Sequence, residues 1–213
     1  MTAEARKEQI VQVALKTIGK YGVQGATIAR IAKAAGITTA ALYTHFENRR
    51  AILLAALDKV YEQIFEIHGA SAEAEAVQRL RDIGRAHSRV VTTQGVSGHA
   101  HLFLEFVAAA PERGLRDAVL QKESAAAANL AQIVEDGKKQ GTISKDVDPE
   151  EVALLIGAWA WAGDVALLLG HRSAWTERVA PKLLELILQS ISTGSDGAPC
   201  NTAPLEESVT QPG

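Results

Sequence analysis

The 213-residue sequence predicts an all-α protein, on three observations. Alanine is abundant and proline scarce before the C-terminal tail, a composition that favours helices. Apolar residues recur at helical spacing in one segment after another. No stretch shows the period-two alternation of a half-buried strand.

The elements follow in order. Ile10, Val13, Ala14, Ile18 and Tyr21 mark an amphipathic helix over 4–20, which Gly22 is expected to stop. Thr27 is placed to cap the next helix, because its hydroxyl can accept from an orphan N–H. Ile28, Ile31, Ala32 and Ala35 then form one apolar face. Gly36 turns the chain, Ile37 packs inward and Thr38 caps a short third helix. Asn48 caps a fourth, over Arg49–His68, roughly 30 Å long at the helical rise. The segment "HGASAEAEA" is a polar break. Further helices are expected at 73–92, 99–110, 112–139, 149–170 and 174–192, with Pro111 beginning or interrupting one. In "DVDPEEV", Asp148 can cap, with Pro149 in the first turn and Glu150 and Glu151 beside it. Residues 194–213 are rich in Gly, Pro, Ser and Thr and read as a disordered tail.

Composition narrows the function. Apolar residues make up 47% and charged residues 22%, as in ordinary soluble proteins. The first twenty residues carry no signal-peptide pattern, and Cys200 is the single cysteine. A cytoplasmic location is the expectation. The net charge of −3 hides an asymmetry. Residues 1–50 hold eight Lys/Arg and three acids, +5, while the rest hold 14 and 22, −8. A basic head on an acidic body suits a polyanionic partner for the head, although chance clustering also accounts for an offset of this size.

The second and third helices, joined at Gly36, form a helix-turn-helix candidate. In such a unit the second helix enters the DNA major groove with its N-terminal residues at the base edges. Thr38, Thr39 and Ala40 occupy that turn: hydroxyls can bond base edges or phosphates, and methyls can touch thymine methyls. Tyr43 and His45 offer donors to phosphate, and Arg49 begins the next helix close by. Two short helices that merely pack together would show the same spacing.

The segment "GVQGATIARIAKAAGITTAALYTHFENRRAILLAAL", Gly22 to Leu57, resembles the N-terminal domain of the TetR family of transcriptional regulators. The resemblance rests on Gly22, Ala26-Thr27, Ile31-Ala32, Ala35-Gly36, Leu42-Tyr43, His45-Phe46 and the leucine-rich start of the long helix. It implies Thr27, Thr38, Thr39, Ala40, Tyr43, His45 and Arg49 as the DNA-facing set. It also implies a homodimer and a helical ligand-binding domain. Two positions depart from the family: Ala40 replaces a common glycine, and Thr39 replaces a common basic residue. The expected organisation is a DNA-binding domain over 1–48, a ligand-binding and dimerisation domain over 49–193, and the tail.

Glu151 to Gly170 is apolar nearly all round and must be buried. Its length nearly suffices for a membrane span, but Asp164, Gly157 and Gly163 argue against one. Burial at a dimer interface is expected, together with the stripe Leu183, Leu184, Ile187 and Ile191, as a four-helix bundle. An intrachain core is the alternative. An apolar pocket with a few polar groups suits a small, mostly apolar effector. The residues expected to line it are Tyr61, Phe65, His99, Phe103, Glu105, Phe106, Trp159, Trp161 and Asp164. Plain core packing is the rival for each aromatic, and an Arg partner the rival for each acid. His99 and His101 point to different faces, so no metal is expected, and no cofactor motif is present. No phosphate loop, nucleophile elbow or zinc signature supports an enzyme. The expectation is a ligand-responsive, homodimeric repressor of a palindromic DNA operator, with a transcriptional activator of the same fold as the alternative.

Overall fold

The computed structural model describes residues 2–69, 71–93, 98–109 and 114–193, apart from the His99 side chain. The expected tail over 194–213 and Pro111 lie outside the described residues. Within them the chain forms helices α1 (Ala3–Gly25), α2 (Ile28–Ala34), α3 (Thr39–Tyr43), α4 (Arg49–Gly69), α5 (Ala76–Thr93), α6 (His99–Ala109), α7 (Leu115–Gln140), α8 (Pro149–Leu168) and α9 (Ala180–Ile191). A π-helical turn, Ala174–Val179, leads into α9. The all-α class is as the sequence predicts.

The helix boundaries have local causes. Asp148 accepts from Glu150 N at 2.8 Å and starts α8, with Pro149 at a position that needs no N–H. Asn48 Oδ1 accepts from Ala51 N at 2.9 Å and starts α4. Gly22 corrects an expectation. It interrupts α1 without ending it, with φ 71° and ψ 168°, and helix resumes through Gly25. That conformation is open to glycine and closed to other residues.

Two apolar clusters form the interior. The first joins Ile10 and Ile18 of α1, Ile31 of α2 and Leu42 of α3 to Leu57 and Tyr61 of α4, Phe106 of α6 and Leu115 of α7. The second joins Leu80 of α5, Val134 of α7, Ile156 and Trp159 of α8, and Leu184 and Leu188 of α9. Helix α8 is long and apolar enough to cross a membrane by length and composition. Here one side of it packs against α5, α6, α7 and α9, and Trp159 Nε1 donates to Ala180 O at 3.0 Å. The expected α9 stripe is corrected in part. Leu184 and Ile191 belong to the intrachain core, while Leu183 and Leu186 point outward.

Candidate functional site

The chain builds two places where chemistry can happen, one at each end of α4. At the first, Thr27 Oγ1 accepts from Arg30 N at 3.3 Å and Thr38 Oγ1 accepts from Ala41 N at 3.1 Å. Each satisfies an orphan donor of the helix it starts. Between them Gly36, at φ 67°, ends α2: its N–H reaches Lys33 O at 3.2 Å and Ile37 N–H reaches Ala32 O at 3.0 Å. Leu42 is fully buried and pins α3 to the core. The opposite face of α3 is open. Thr38, Thr39, Ala40 and Thr44 are exposed, Tyr43 is 51% exposed, and His45 is half-buried beside them.

A capping hydroxyl uses a lone pair and keeps its proton. Thr27 and Thr38 can therefore cap their helices and still donate to a phosphate. Arg49 stands apart from the expected set. Its guanidinium points inward, donating to Ala26 O at 3.0 Å and to Val23 O, and so fastens the start of α4 to the α1–α2 corner. Arg30 and Lys33 are exposed on α2, and sequence reasoning passed over them. Arg30 lies over the Tyr21 ring at 4.8 Å and donates to Gly25 O at 2.8 Å. Their only signal was the excess of positive charge over 1–50.

Glu105, expected at a ligand pocket, is a correction. The break at Gly22 frees the N–H of Val23 from the helix, and Glu105 Oε2 accepts it at 3.1 Å. His101 Nε2 lies 3.2 Å from Gly19 O one turn earlier. Helix α6 thus holds the broken end of α1 by two side chains. Phe106 is corrected too, since it is buried in the cluster shared with α1 and α4.

The second place is a cavity of about 380 Å³ between α4, α5, α6, α7 and α8. Of the expected set, Phe103, Trp159, Trp161 and Asp164 line it. Tyr61 and Phe65 do not. Tyr61 lies fully buried behind the wall and its hydroxyl donates to Glu123, which does line the cavity. Phe65 packs against Tyr61 with ring centroids 6.4 Å apart. The His99 side chain lies outside the described residues. His68, His87 and Glu123 line the cavity and were not anticipated, because they come from three different helices.

The polar groups here are few and poorly satisfied. Asp164 is 2% exposed. Its Oδ1, His87 Nε2 and His68 Nδ1 are buried without a hydrogen-bond partner, and Asp164 Oδ1 lies 3.7 Å from His87 Nε2. Burial, with the nearby Glu123 adding to it, pushes the Asp164 carboxyl up to about 7. Burial also raises Glu123, against the opposing Tyr61 hydrogen bond. Both imidazoles are pushed down to about 4, chiefly by burial, and are neutral at ordinary pH.

Comparison with known proteins accords with this arrangement. Residues 10–56 match the model of the bacterial regulatory proteins of the tetR family. ArpR of Pseudomonas putida, a probable HTH-type transcriptional regulator, is 28% identical over 190 residues, 82% of this chain and 90% of that protein. The HTH-type transcriptional regulator TtgR, also of Pseudomonas putida, is 27% identical over the same shares. Among solved structures, a TetR transcriptional regulator from Chloroflexus aurantiacus superposes with a TM-score of 0.78 at 21% identity, covering 89% of this chain and 98% of that one. A protein from Saccharomonospora viridis, solved in complex with choline, superposes with a TM-score of 0.75 at 23% identity, covering 90% and 99%. Residues 10–56 thus carry the DNA-binding segment described by the tetR-family model, and the chain as a whole is similar to HTH-type transcriptional regulators in sequence and to TetR-family regulators in fold.

Proposed function

We propose that the chain is a cytoplasmic, homodimeric repressor that a small, mostly apolar effector releases from a palindromic operator. The observation that carries this reading is the position of α6. Phe103 lines the cavity, and Glu105, two residues on, holds Val23 in the DNA-binding head. A ligand that repositions Phe103 acts on the helix that grips α1. Helix α4 is a second link, with Ile64 and His68 at the cavity and Arg49 tied to the α1–α2 corner. Ligand binding then lowers operator affinity by the difference in its affinity for the two head positions.

Residues 1–48 form the head and 49–193 the body. Thr27, Thr38, Thr39, Ala40, Tyr43 and His45 face DNA, Tyr43 and His45 on the backbone and Thr39 and Ala40 at base edges. Arg30 and Lys33 supply charge, and Arg49 braces the head from behind. The dimer forms through α8 and α9, whose outward Leu155, Val165, Leu183 and Leu186 leave a broad apolar surface in the single chain.

The test is fluorescence anisotropy of the purified protein on a duplex from its own upstream region, against a scrambled duplex, across a salt series. Selective binding that weakens with salt is expected. Weak, equal binding to both duplexes, with genome-wide selection of bound fragments also empty, would sink the regulator reading of this surface.

A further inference from the structure

We infer that the effector is a protonated primary or secondary amine on an apolar body, and that its nitrogen donates to Asp164 Oδ1 and His87 Nε2. This rests on the reading of the cavity as the effector site.

Charge selects the class. The cavity is lined mostly by aliphatic and aromatic side chains. Its described ionisable residues are Glu123, Asp164, His68 and His87, with no Lys or Arg among them. Lys122, next to Glu123 in sequence, is paired with Asp58 at 2.6 Å. A carboxylate or phosphate effector would meet two acids and no cation, and it would shed its hydration without replacement. A cation finds the opposite.

Hydrogen bonding sharpens the choice. The Ala160 backbone lies near enough to His87 to favour its proton. A neutral ring with that proton on Nδ1 presents Nε2 as a bare acceptor. Asp164 Oδ1 is an acceptor when ionised. Both atoms are buried and unpartnered, and they stand 3.7 Å apart. Two acceptors this close, with no donor between them, are within reach of one ammonium carrying at least two N–H groups. A quaternary ammonium has none. An alcohol brings one O–H and no charge. A metal ion would need more donors, and no group of three or more His, Cys, Asp or Glu among the described residues is arranged to hold one. Trp159 stands beside His87 with ring centroids 5.9 Å apart, so an aromatic ring borders the nitrogen site.

The body of the ligand follows from the rest of the wall. Ile64, Ile83, Leu130 and Ile156 offer no polar atoms from their side chains, and Phe103 closes the side nearest α1. The amine end therefore sits between α5 and α8, and the apolar end extends toward α4, α6 and α7.

The experiment uses four matched probes on the full chain: phenylbutylamine, phenylbutanol, phenylbutyrate and phenylbutyl-trimethylammonium. Calorimetry and quenching of tryptophan fluorescence read the affinities at pH 8, where Asp164 is largely ionised and the amine is protonated. Phenylbutylamine is expected to bind at least about tenfold more tightly than the alcohol, as a charge-assisted hydrogen bond implies, and phenylbutyrate weakest. In Asp164→Asn the preference for amine over alcohol should fall by about tenfold. The wild-type series stands even if that variant fails to fold. Equal or tighter binding of the alcohol or the carboxylate overturns the inference and leaves the cavity a ligand site. Equal or tighter binding of the trimethylammonium probe overturns the donation to Asp164 and His87. Binding of none of the four overturns the cavity as the effector site, and the inference with it.

Discussion

The head and the cavity treat their polar groups in opposite ways. In the head, Thr27, Thr38 and Asn48 each bond a backbone N–H three residues ahead, and Gly36 closes α2 through two backbone hydrogen bonds. Around the cavity, Asp164, His87 and His68 keep buried atoms with no partner. The head is complete before DNA arrives, and its function lies in what remains exposed. The cavity leaves buried polar atoms without hydrogen bonds. Removing a capping group of the head should therefore cost stability, whereas neutralising a cavity acid should add stability and remove selectivity.

A large loss of stability is expected where the two regions meet. Gly22→Ala places a Cβ at φ 71°, ψ 168°, and 2.9 Å from Glu105 Oε2. Backbone strain of this kind costs about 1–3 kcal/mol, and the carboxylate must also shift. Urea unfolding should show a loss of about 3 kcal/mol. A loss below about 0.5 kcal/mol would mean that the break in α1 relaxes freely and that Glu105 does not hold it.

Next comes the pH dependence of Asp164→Asn. In the wild type the unfolded carboxyl loses its proton near 3.8 and the folded one near 7. Its contribution to stability is thus full below about pH 4 and falls as pH rises to 7. Raised in the same sense, Glu123 adds to this trend. His68 and His87 act oppositely: unfolded imidazoles protonate near 6.5 and the folded ones near 4, so stability falls as pH drops through that window. The acids and imidazoles offset each other in the wild type. Asp164→Asn removes one side of the balance. It should be more stable than wild type at pH 8, and that difference should shrink by about 1.4 kcal/mol per pH unit between 7 and 4. Thermal unfolding across pH reads both signs, and parallel curves for the two proteins would contradict the assignment.

Tyr43→Ala separates the regions from the other side. The ring is half exposed and bears no hydrogen bond that α3 needs. Operator affinity should fall about tenfold, near 1.4 kcal/mol, as loss of a phosphate donor implies. Unfolding free energy should stay within about 0.5 kcal/mol of wild type. A stability loss larger than the affinity loss would place Tyr43 in the fold and not at the DNA.

The same contrast explains what was legible in the sequence. Caps and turns are local, so Thr27, Gly36, Thr38, Asn48 and Asp148 announce α2, α3, α4 and α8 within a few residues. Trp159, Trp161 and Asp164 were visible as aromatics and an acid on a helix apolar nearly all round. His68, His87 and Glu123 were not, because nothing in α4, α5 or α7 alone says that these three converge. Glu105 was conspicuous for the right reason, an acid among apolar neighbours. Its partner is a backbone N–H 82 residues away, left without a helical acceptor because α1 breaks at Gly22. Arg49 likewise answers to carbonyls of the α1–α2 corner, which no spacing rule reports.

The smallest predicted effect is the most discriminating for the head. Thr38 caps α3 through a lone pair on Oγ1, with Ala41 N at 3.1 Å, and the side chain is otherwise exposed. Thr38→Ser keeps the hydroxyl and deletes the methyl. Thr38→Ala deletes both the hydroxyl and the methyl. If the hydroxyl both caps the helix and donates to phosphate, Ala should cost about 1 kcal/mol of stability and a further loss of operator affinity beyond the cap. Ser should leave stability within about 0.5 kcal/mol and change affinity only where a thymine methyl is met. Paired unfolding and anisotropy measurements on the two variants separate these roles. Equal affinity losses in Ser and Ala would assign the DNA contact to the methyl and leave the hydroxyl with the cap alone.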